Sequence, residues 1–341
     1  MKEKKKQLTK LKKIMKSELL NSDTNDRYTL FPIKYHDMWS LYKKHKNAFW
    51  TAEEIDFTVD KKEWLTLTPA EQHFIENILA FFANSDTIVL DNLMTNFCAE
   101  VTIPEARCFY AFQAMCENIH SEVYSLLIDT FIDNDEKKNY LFHGMETIPC
   151  VKKKANWALK WIHENDKSSF AKRLFAFGIV EGLFFSGSFC AIFWLKEKGK
   201  LVNSLGKSNE WIARDEGLHT EFAILLYKYI QNRIPKEEVI GMMKEAVEIE
   251  EEFICDSISV NLIGMNCDLM KQYIRYVADR LMIQFGYEKI YHETNPFPFM
   301  VKISLDGKTN FFEQRVSEYN QVQSCNNESI FSFDNLDTSL F

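Results

Sequence analysis

The sequence predicts an all-α fold, on three observations. Glycine and proline are scarce, at 11 and 7 of 341 residues, which is typical of long helices rather than of a β-rich or loop-rich chain. Apolar residues make up 46% of the chain and aromatic residues 14%, enough to fill a sizeable core. Apolar residues recur with helical spacing over long stretches, whereas alternating strand patterns are few.

The first strong helical signal begins at Thr68. Thr68 suits the N-cap, Pro69 the first turn, and Glu71 completes a capping box. The apolar stripe that follows contains Phe74, Ile75, Ile78, Leu79, Phe82, Ile88, Val89 and Leu93. Later helices are predicted at about 102–131, 136–163, 170–199, 206–231, 236–259 and 267–287.

The two ends of the chain differ in composition from its helical middle. Residues 1–25 begin with the basic run MKEKKKQLTKLKK, which predicts a mobile, solvated tail. Residues 26–316 are predicted to form one helical domain, whose aromatic-rich start at about 28–65 wraps the core. Residues 317–341 are polar and close with FSFDNLDTSLF, which predicts a flexible C-terminal tail.

Charge and cysteine usage exclude several classes of protein. The net charge of −8 disfavours nucleic acid as a partner, because phosphate binding needs a concentrated basic surface. The eight cysteines show no C-x-x-C pair and no disulfide framework, which predicts reduced thiols in an intracellular, cytoplasmic protein. The charged N-terminus lacks the apolar segment of a secretory signal.

One segment resembles a membrane span. Phe177 to Trp194 is long and apolar, but Glu181 lies inside it, and an ionisable group is costly in lipid. The fully buried helix of a helical bundle is equally apolar. Because no second span accompanies it, we predict a buried core helix and no membrane association.

Two matched motifs predict a metal site. Glu117 and His120 form one Glu-x-x-His string, and Glu216 and His219 form a second about a hundred residues later. Positions i and i+3 share one face of a helix, so each string presents a carboxylate beside an imidazole. Two such helices facing each other make up two of the four helices that hold a dinuclear carboxylate site, the arrangement found in ferritin-like bundles.

Such a site needs one further carboxylate from each of two other helices. Glu181 is the first candidate, because a buried unpaired carboxylate needs a counter-charge. Asp86, in the apolar run FFANSDTIVL, is the second, while Asp91 and Glu100 remain alternatives that periodicity does not exclude. Four carboxylates with two imidazoles suit iron or manganese rather than zinc or an iron–sulfur cluster. The predicted fold is therefore a ferritin-like helical bundle with a di-metal carboxylate site in its core.

Tyr124 follows His120 by four residues and Glu117 by seven, on the same helical stripe. That position predicts a tyrosine beside the metals, able to act as a one-electron donor. Phe185, Phe189 and Ile212 share the helices of Glu181 and Glu216 at helical spacing, and we expect them to form a dry apolar sleeve around Tyr124.

Long blocks of this sequence resemble a known family. The blocks are FWTAEEIDF (49–57), CFYAFQAMCENIHSEVYSLLIDT (108–130), VKKKANWALKWI (151–162), VEGLFFSGSFCAIFWLK (180–196), SNEWIARDEGLH (208–219) and KTNFFEQRVSEY (308–319). Together they resemble the small, radical-generating subunit of class I ribonucleotide reductase, of the eukaryotic type, over about residues 28–319.

The resemblance implies a di-iron–oxo centre that reacts with O₂ and leaves a stable radical on Tyr124. The implied ligands are the residues already named: Asp86, Glu117, His120, Glu181, Glu216 and His219. It also implies a homodimer that is active only with a large subunit, which reduces ribonucleotides to deoxyribonucleotides. Phe185, Phe189 and Ile212 match the family's radical pocket.

The resemblance further implies a route by which the radical leaves the subunit. Trp50 and Asp215 match its first members, with Asp215 bonded to the second ring nitrogen of ligand His120, and Tyr319 matches the tyrosine that passes the radical across the interface. The C-terminal tail would dock on the large subunit through Phe333, Asp337 and Phe341. Its spacing is longer than the usual phenylalanine–acidic–phenylalanine ending.

Two other functions are compatible with the same ligand pattern. A di-metal oxidase or ferroxidase of the same superfamily would need no large subunit, and Trp50, Asp215, Tyr319 and the tail argue against it. A non-catalytic relative would show damaged ligands, whereas this chain contains all six and Tyr124.

Overall fold

The computed structural model describes residue 20 and residues 29–163, 170–257 and 259–303. Within these residues the chain forms helices and no β-strand, which confirms the all-α prediction. The helices are α1 (His36–Asn47), α2 (Lys61–Trp64), α3 (Pro69–Asn92), α4 (Cys98–Glu100), α5 (Pro104–Phe131), α6 (Asp135–Phe142), α7 (Gly144–Thr147), α8 (Pro149–His163), α9 (Phe170–Ile179), α10 (Ser186–Glu197), α11 (Lys207–Lys228), α12 (Lys236–Glu251), α13 (Cys267–Gln284) and α14 (Pro298–Ile303). π-helical turns lie at Leu93–Phe97, Val180–Phe184, Val202–Gly206 and Glu252–Ser257, and 3₁₀ turns at Ala52–Glu54 and Val260–Ile263.

Helix α3 begins where the capping signal predicts. The Thr68 hydroxyl accepts a hydrogen bond from the Glu71 N–H at 3.2 Å, and the Glu71 carboxylate accepts one from the Thr68 N–H at 2.9 Å. Two of the N–H groups that a helix start leaves unpaired are thereby satisfied. The capping prediction is confirmed, and it fixes the start of the helix that carries Asp86.

Four long segments form the centre of the bundle. Helix α3 packs along α5, α9 packs along α11, and α5 also contacts α11. Helix α1 lies across α5 and α11, while α8 packs against both α3 and α9. The centre of the bundle is therefore enclosed by helices whose inner faces are apolar, apart from the few polar groups described below.

The apolar segment from α9 to α10 is a core element. It is long and apolar enough to cross a membrane, but 94% of its apolar window is buried inside the protein. The predicted continuous helix over 170–199 is interrupted by the π-helical turn Val180–Phe184, which contains Glu181. Such turns often mark functional positions in a helix. Gly182, the residue after Glu181, lies inside this turn. A Cβ atom at position 182 would lie 2.8 Å from the Leu281 Cδ2 atom of α13, so a larger residue there would require α13 side chains to move.

The prediction of one helix over 136–163 was wrong. The chain forms α6, α7 and α8 instead, and Ile148 between α7 and α8 has extended backbone. Pro149 explains the break, because a proline ring disfavours helical backbone in the residue before it and lacks the N–H that would continue the helix.

The predicted tail boundaries at residues 25 and 316 remain predictions. Leu20, within the predicted N-terminal tail, is fully buried, and its carbonyl accepts hydrogen bonds from the Thr102 N–H at 2.8 Å and hydroxyl at 3.1 Å. Tyr319, Phe333, Asp337 and Phe341 lie outside the described residues.

Candidate metal centre

Six predicted ligands from four segments converge in the core. They are Asp86 of α3, Glu117 and His120 of α5, Glu181 of the π-helical turn, and Glu216 and His219 of α11. Each is at most 3% exposed. Because each Glu-x-x-His string lies on one helical face, its carboxylate and imidazole point to the same space.

The ligand atoms lie within touching distance of one another. His120 Nδ1 is 3.0 Å from Glu216 Oε1, and His219 Nδ1 is 3.0 Å from Glu117 Oε1. Two sets of ligand atoms each lie within 4.8 Å: Glu117, Glu181, Glu216 and His219 in one, and Asp86, Glu117 and His120 in the other. Glu117 belongs to both sets, so the arrangement suits two adjacent cations that share a carboxylate.

Buried ligand atoms without hydrogen bonds show whether the cluster could hold a metal ion. Six atoms of the cluster residues are buried without a hydrogen bond, namely Asp86 Oδ2, Glu117 Oε1 and Oε2, Glu181 Oε2, His120 Nδ1 and His219 Nε2. Buried polar atoms are ordinarily hydrogen-bonded, and an unpaired one is costly. Unpaired oxygen and nitrogen atoms that face one another are the donor set that a hard or borderline cation requires, so the residues fit a di-metal centre.

Charge imbalance points to the same conclusion. Burial, with Glu117 nearby, raises the pKa of Asp86 well above its usual value, and burial, with Glu216 nearby, does the same for Glu181. Burial opposes protonation of His120, yet its hydrogen bond to Asp215 and the nearby carboxylate of Glu117 raise its pKa well above the usual value. Bound protons therefore neutralise the buried carboxylates of this cluster, which is the role that a metal cation would fill.

The two alternatives to Asp86 lie elsewhere. Asp91 is exposed on α3. Glu100 forms a bidentate ion pair with Arg173, at 2.5 Å for both contacts. Of the three acids, the structure places only Asp86 in the cluster.

Tyr124 occupies a dry pocket next to the cluster. Its side chain is fully buried, and its hydroxyl donates a hydrogen bond to Asn209 Oδ1 at 2.8 Å. The Phe82 ring stacks on it with centroids 4.5 Å apart. Phe185 and Phe189 lie against Phe82, at 5.5 Å and 5.1 Å between centroids. Ile212 is 1% exposed. Burial, with Asp86 nearby, raises the pKa of Tyr124 well above its usual value, so its hydroxyl keeps its proton.

A chain of contacts leads away from His120. Asp215 Oδ2 lies 3.3 Å from His120 Nε2 and accepts a hydrogen bond from Trp50 Nε1 at 2.7 Å. The Trp50 and His120 rings are stacked, with centroids 6.1 Å apart. Burial opposes ionisation of Asp215, but hydrogen bonding to His120 and the charge of Arg214 lower its pKa to about 2. Asp215 is therefore an anion that joins the two rings.

Several residues of the site were not predicted from the sequence. Gln113 donates a hydrogen bond to Glu181 Oε1 at 3.1 Å, and Asn209 accepts the one from Tyr124. Phe82 precedes Asp86 by one helical turn, and Asn209 precedes Glu216 by two turns. Their helical spacing places them on the same helix faces as the ligands, and this was the signal in the sequence that could have identified them.

His45 of α1 is also close to the centre. Its ring lies 4.9 Å from that of His219, and neither of its nitrogens forms a hydrogen bond. Burial, with His219 nearby, lowers the pKa of His45 to about 3, so the imidazole is neutral. A histidine on the buried face of an amphipathic helix was the signal in the sequence.

Comparison with known proteins agrees with this geometry. The family described as "Ribonucleotide reductase, small chain" matches residues 27–296. The ribonucleoside-diphosphate reductase small chain of Variola virus is 56% identical over 297 residues, covering 87% of this chain and 92% of the relative. The small chain of Trypanosoma brucei brucei is 54% identical over 321 residues, covering 93% and 94%.

A solved structure shows the same fold. The ribonucleotide reductase homodimer of Saccharomyces cerevisiae superposes with a TM-score of 0.79 at 39% sequence identity, covering 88% of this chain and 94% of that one. The ferritin-like helical fold predicted from the sequence is confirmed. The family match, the identities and the shared fold together show that this chain belongs to the ribonucleotide reductase small-chain family.

Proposed function

We propose that this small chain of ribonucleoside-diphosphate reductase holds two iron ions, generates a stable radical on Tyr124 with O₂, and passes that radical to a large subunit. The observation that carries the proposal is the cluster of four buried carboxylates and two imidazoles with unpaired lone pairs, next to a buried tyrosine. The proposed ligands are Asp86, Glu117, His120, Glu181, Glu216 and His219. When bound, the di-iron centre would supply the oxidising power that removes one electron from the tyrosine.

The chain's own residues account for the location and lifetime of the radical. The Tyr124 hydroxyl has one hydrogen-bond acceptor, Asn209 Oδ1, so its proton is held at a defined atom. Phe82 covers one face of the ring, and Phe185 and Phe189 back it. An apolar enclosure excludes water and reductants, which would otherwise quench a tyrosyl radical.

The same chain of residues supports export of the radical. Asp215 accepts hydrogen bonds from both Trp50 and His120, so an electron and a proton have a bonded route from the metal ligand to the Trp50 ring. Tyr319 would continue that route toward the large subunit, and Phe333, Asp337 and Phe341 would dock the tail on it. A self-contained oxidase or ferroxidase has no use for such a route, which favours the reductase subunit. We further propose a cytoplasmic homodimer.

Electron paramagnetic resonance on the full-length protein tests the proposal. After metal-free protein receives Fe(II) and O₂, we expect a tyrosyl signal that is abolished in Tyr124→Phe, together with nucleotide reduction in the presence of a cognate large subunit. Tyr110→Phe is the matched control, because Tyr110 lies on the same helix and is 1% exposed. A signal that persists in Tyr124→Phe, or that disappears in Tyr110→Phe, would overturn the assignment.

A further inference from the structure

A second group of potential ligands lies on the outer side of the two histidines of the metal centre. His45 of α1, Cys116 of α5 and Asp215 of α11 each offer one ligand atom, and these atoms all lie within 4.8 Å of one another. The three side chains are 1%, 3% and 1% exposed. None of them belongs to the six-residue cluster.

His45 is the feature that needs an explanation. Both of its ring nitrogens are buried without a hydrogen bond, although a neutral imidazole has one donor and one acceptor to satisfy. Phe109 and Phe112 hold the ring from two sides, with centroids 5.1 Å and 4.8 Å away. The ring is therefore fixed in orientation and retains an unused nitrogen lone pair, the state in which histidine binds metals.

The donors suit one class of cation. Imidazole nitrogen, thiolate sulfur and carboxylate oxygen together are the ligand types of borderline divalent ions such as Zn²⁺, with bonds of about 2.0–2.3 Å. Donor atoms around such an ion lie at most about 4.6 Å apart, twice the longest of those bonds. Small side-chain adjustments would therefore bring the three donors, which lie within 4.8 Å, onto one ion.

Existing contacts of Asp215 leave a place for the ion. Trp50 and His120 occupy Oδ2, at 2.7 Å and 3.3 Å. Arg214 contacts Oδ1 only at 3.2 Å and 3.3 Å, while it also donates to the Ala48 carbonyl at 2.5 Å. Oδ1 is therefore the more weakly bonded oxygen of Asp215, and Arg214 would keep its shorter bond to Ala48 if it moved away from Oδ1.

We propose that His45, Cys116 and Asp215 form a mononuclear site for a borderline divalent cation, separate from the six-residue centre. Three protein ligands leave a fourth position for water. Asp215 would then link this ion to Trp50 and His120, so its occupancy would be sensed at the metal centre. The site does not depend on radical chemistry, and a negative result for Tyr124 would leave it standing.

Cobalt is the probe, because a thiolate bound to Co²⁺ gives an intense near-ultraviolet charge-transfer band and the six-residue centre contains no sulfur. Titration of the full-length, metal-free protein should produce that band, saturating at one ion per chain, and Zn²⁺ should displace it. The band should disappear in Cys116→Ser. His45→Phe keeps an aromatic ring between Phe109 and Phe112, and should weaken Co²⁺ binding at this site at least about tenfold.

Cys190→Ser is the matched control, because Cys190 is fully buried but belongs to no ligand group in the described part of the chain. Its band should equal that of the unmodified protein. Circular dichroism melting shows whether each variant folds. If Cys116→Ser does not fold, the Co²⁺ affinity of His45→Phe provides the test. Absence of the band in the unmodified protein, its persistence in Cys116→Ser, or unchanged affinity in His45→Phe would each overturn the proposal.

Discussion

Two groups of charged side chains are buried in the same helical bundle, and they differ in whether their charges balance. Lys154 and Glu250 form an ion pair at 2.7 Å, with exposures of 1% and 0%. Lys154 also donates to the Phe184 carbonyl at 2.5 Å, and its ammonium lies 3.6 Å from the Phe81 ring centroid. One positive charge meets one negative charge, and the ammonium is fully surrounded by partners.

The six-residue centre shows the opposite situation. Four carboxylates face two imidazoles, so acidic groups are in excess of basic ones. Burial of both groups is equally complete, so burial alone does not mark a functional site. An excess of one charge sign therefore indicates a missing cation, whereas a buried pair of opposite charges indicates a structural role.

The largest expected effect is on the balanced pair. Lys154→Met leaves Glu250 buried and uncompensated, so the free energy of unfolding should fall by about 3–5 kcal/mol. The double variant Lys154→Met/Glu250→Met removes both charges and should recover most of that loss. Urea unfolding of metal-free protein measures both.

Lys153→Met is the control for that pair. Lys153 forms an ion pair with Glu252 in which both side chains are about half exposed. Its loss should change the free energy of unfolding by less than about 1 kcal/mol. If the double Lys154/Glu250 variant is as unstable as the single one, the instability of Lys154→Met does not come from an uncompensated Glu250 charge.

An intermediate effect is expected at a neutral polar contact beside the metal centre. Asn209→Leu removes the acceptor of the Tyr124 hydroxyl and leaves that donor buried without a partner. The free energy of unfolding should fall by about 1–3 kcal/mol, measured by urea unfolding. Asn118→Leu, at an exposed position of α5, should stay within about 0.5 kcal/mol of the unmodified protein. If Asn209→Leu and Asn118→Leu change the free energy of unfolding equally, the Tyr124–Asn209 hydrogen bond does not stabilise the fold.

The smallest effect is the most diagnostic, because its sign is reversed. Glu181→Gln keeps an oxygen for the Gln113 hydrogen bond. It removes a carboxyl group whose pKa burial raises, and which must therefore take up a proton when the metal-free chain folds. The free energy of unfolding of the metal-free variant should exceed that of the metal-free unmodified protein by on the order of 1 kcal/mol, the scale of a single-site change. Urea unfolding with a chelator present measures this. A metal-free Glu181→Gln protein that is less stable than the unmodified chain would show that the cluster is balanced without metal.

Much of this arrangement could be predicted from the sequence because it depends on local periodicity. Glu117 with His120 and Glu216 with His219 share helical faces by spacing alone, and Glu181 stands out as a charge in an apolar run. The cap at Thr68 likewise depends on four consecutive residues. Such signals need no knowledge of which helices are neighbours.

What escaped prediction depends on contacts between distant segments. Asp86 was named as a ligand from the sequence, but periodicity left Asp91 and Glu100 open, and the choice among the three follows from how α3 faces α5. The π-helical turn at Val180–Phe184 and the break before Pro149 alter the continuity of predicted helices. His45 lies beside the centre only because α1 crosses α5 and α11, so its place on the buried face of α1 did not by itself indicate which residues it would meet.

The number of metal ions bound per chain is the sharpest check on the six-residue centre. Metal-free protein is titrated anaerobically with Fe(II), in the Cys116→Ser background so that the separate site proposed above does not contribute. We predict two tightly bound ions per chain, and none in the further variant Glu117→Ala/Glu216→Ala, because those carboxylates face both histidines. Exposed Glu122→Ala should leave both ions in place. Binding of fewer than two ions, or retention of two ions without Glu117 and Glu216, would contradict the account.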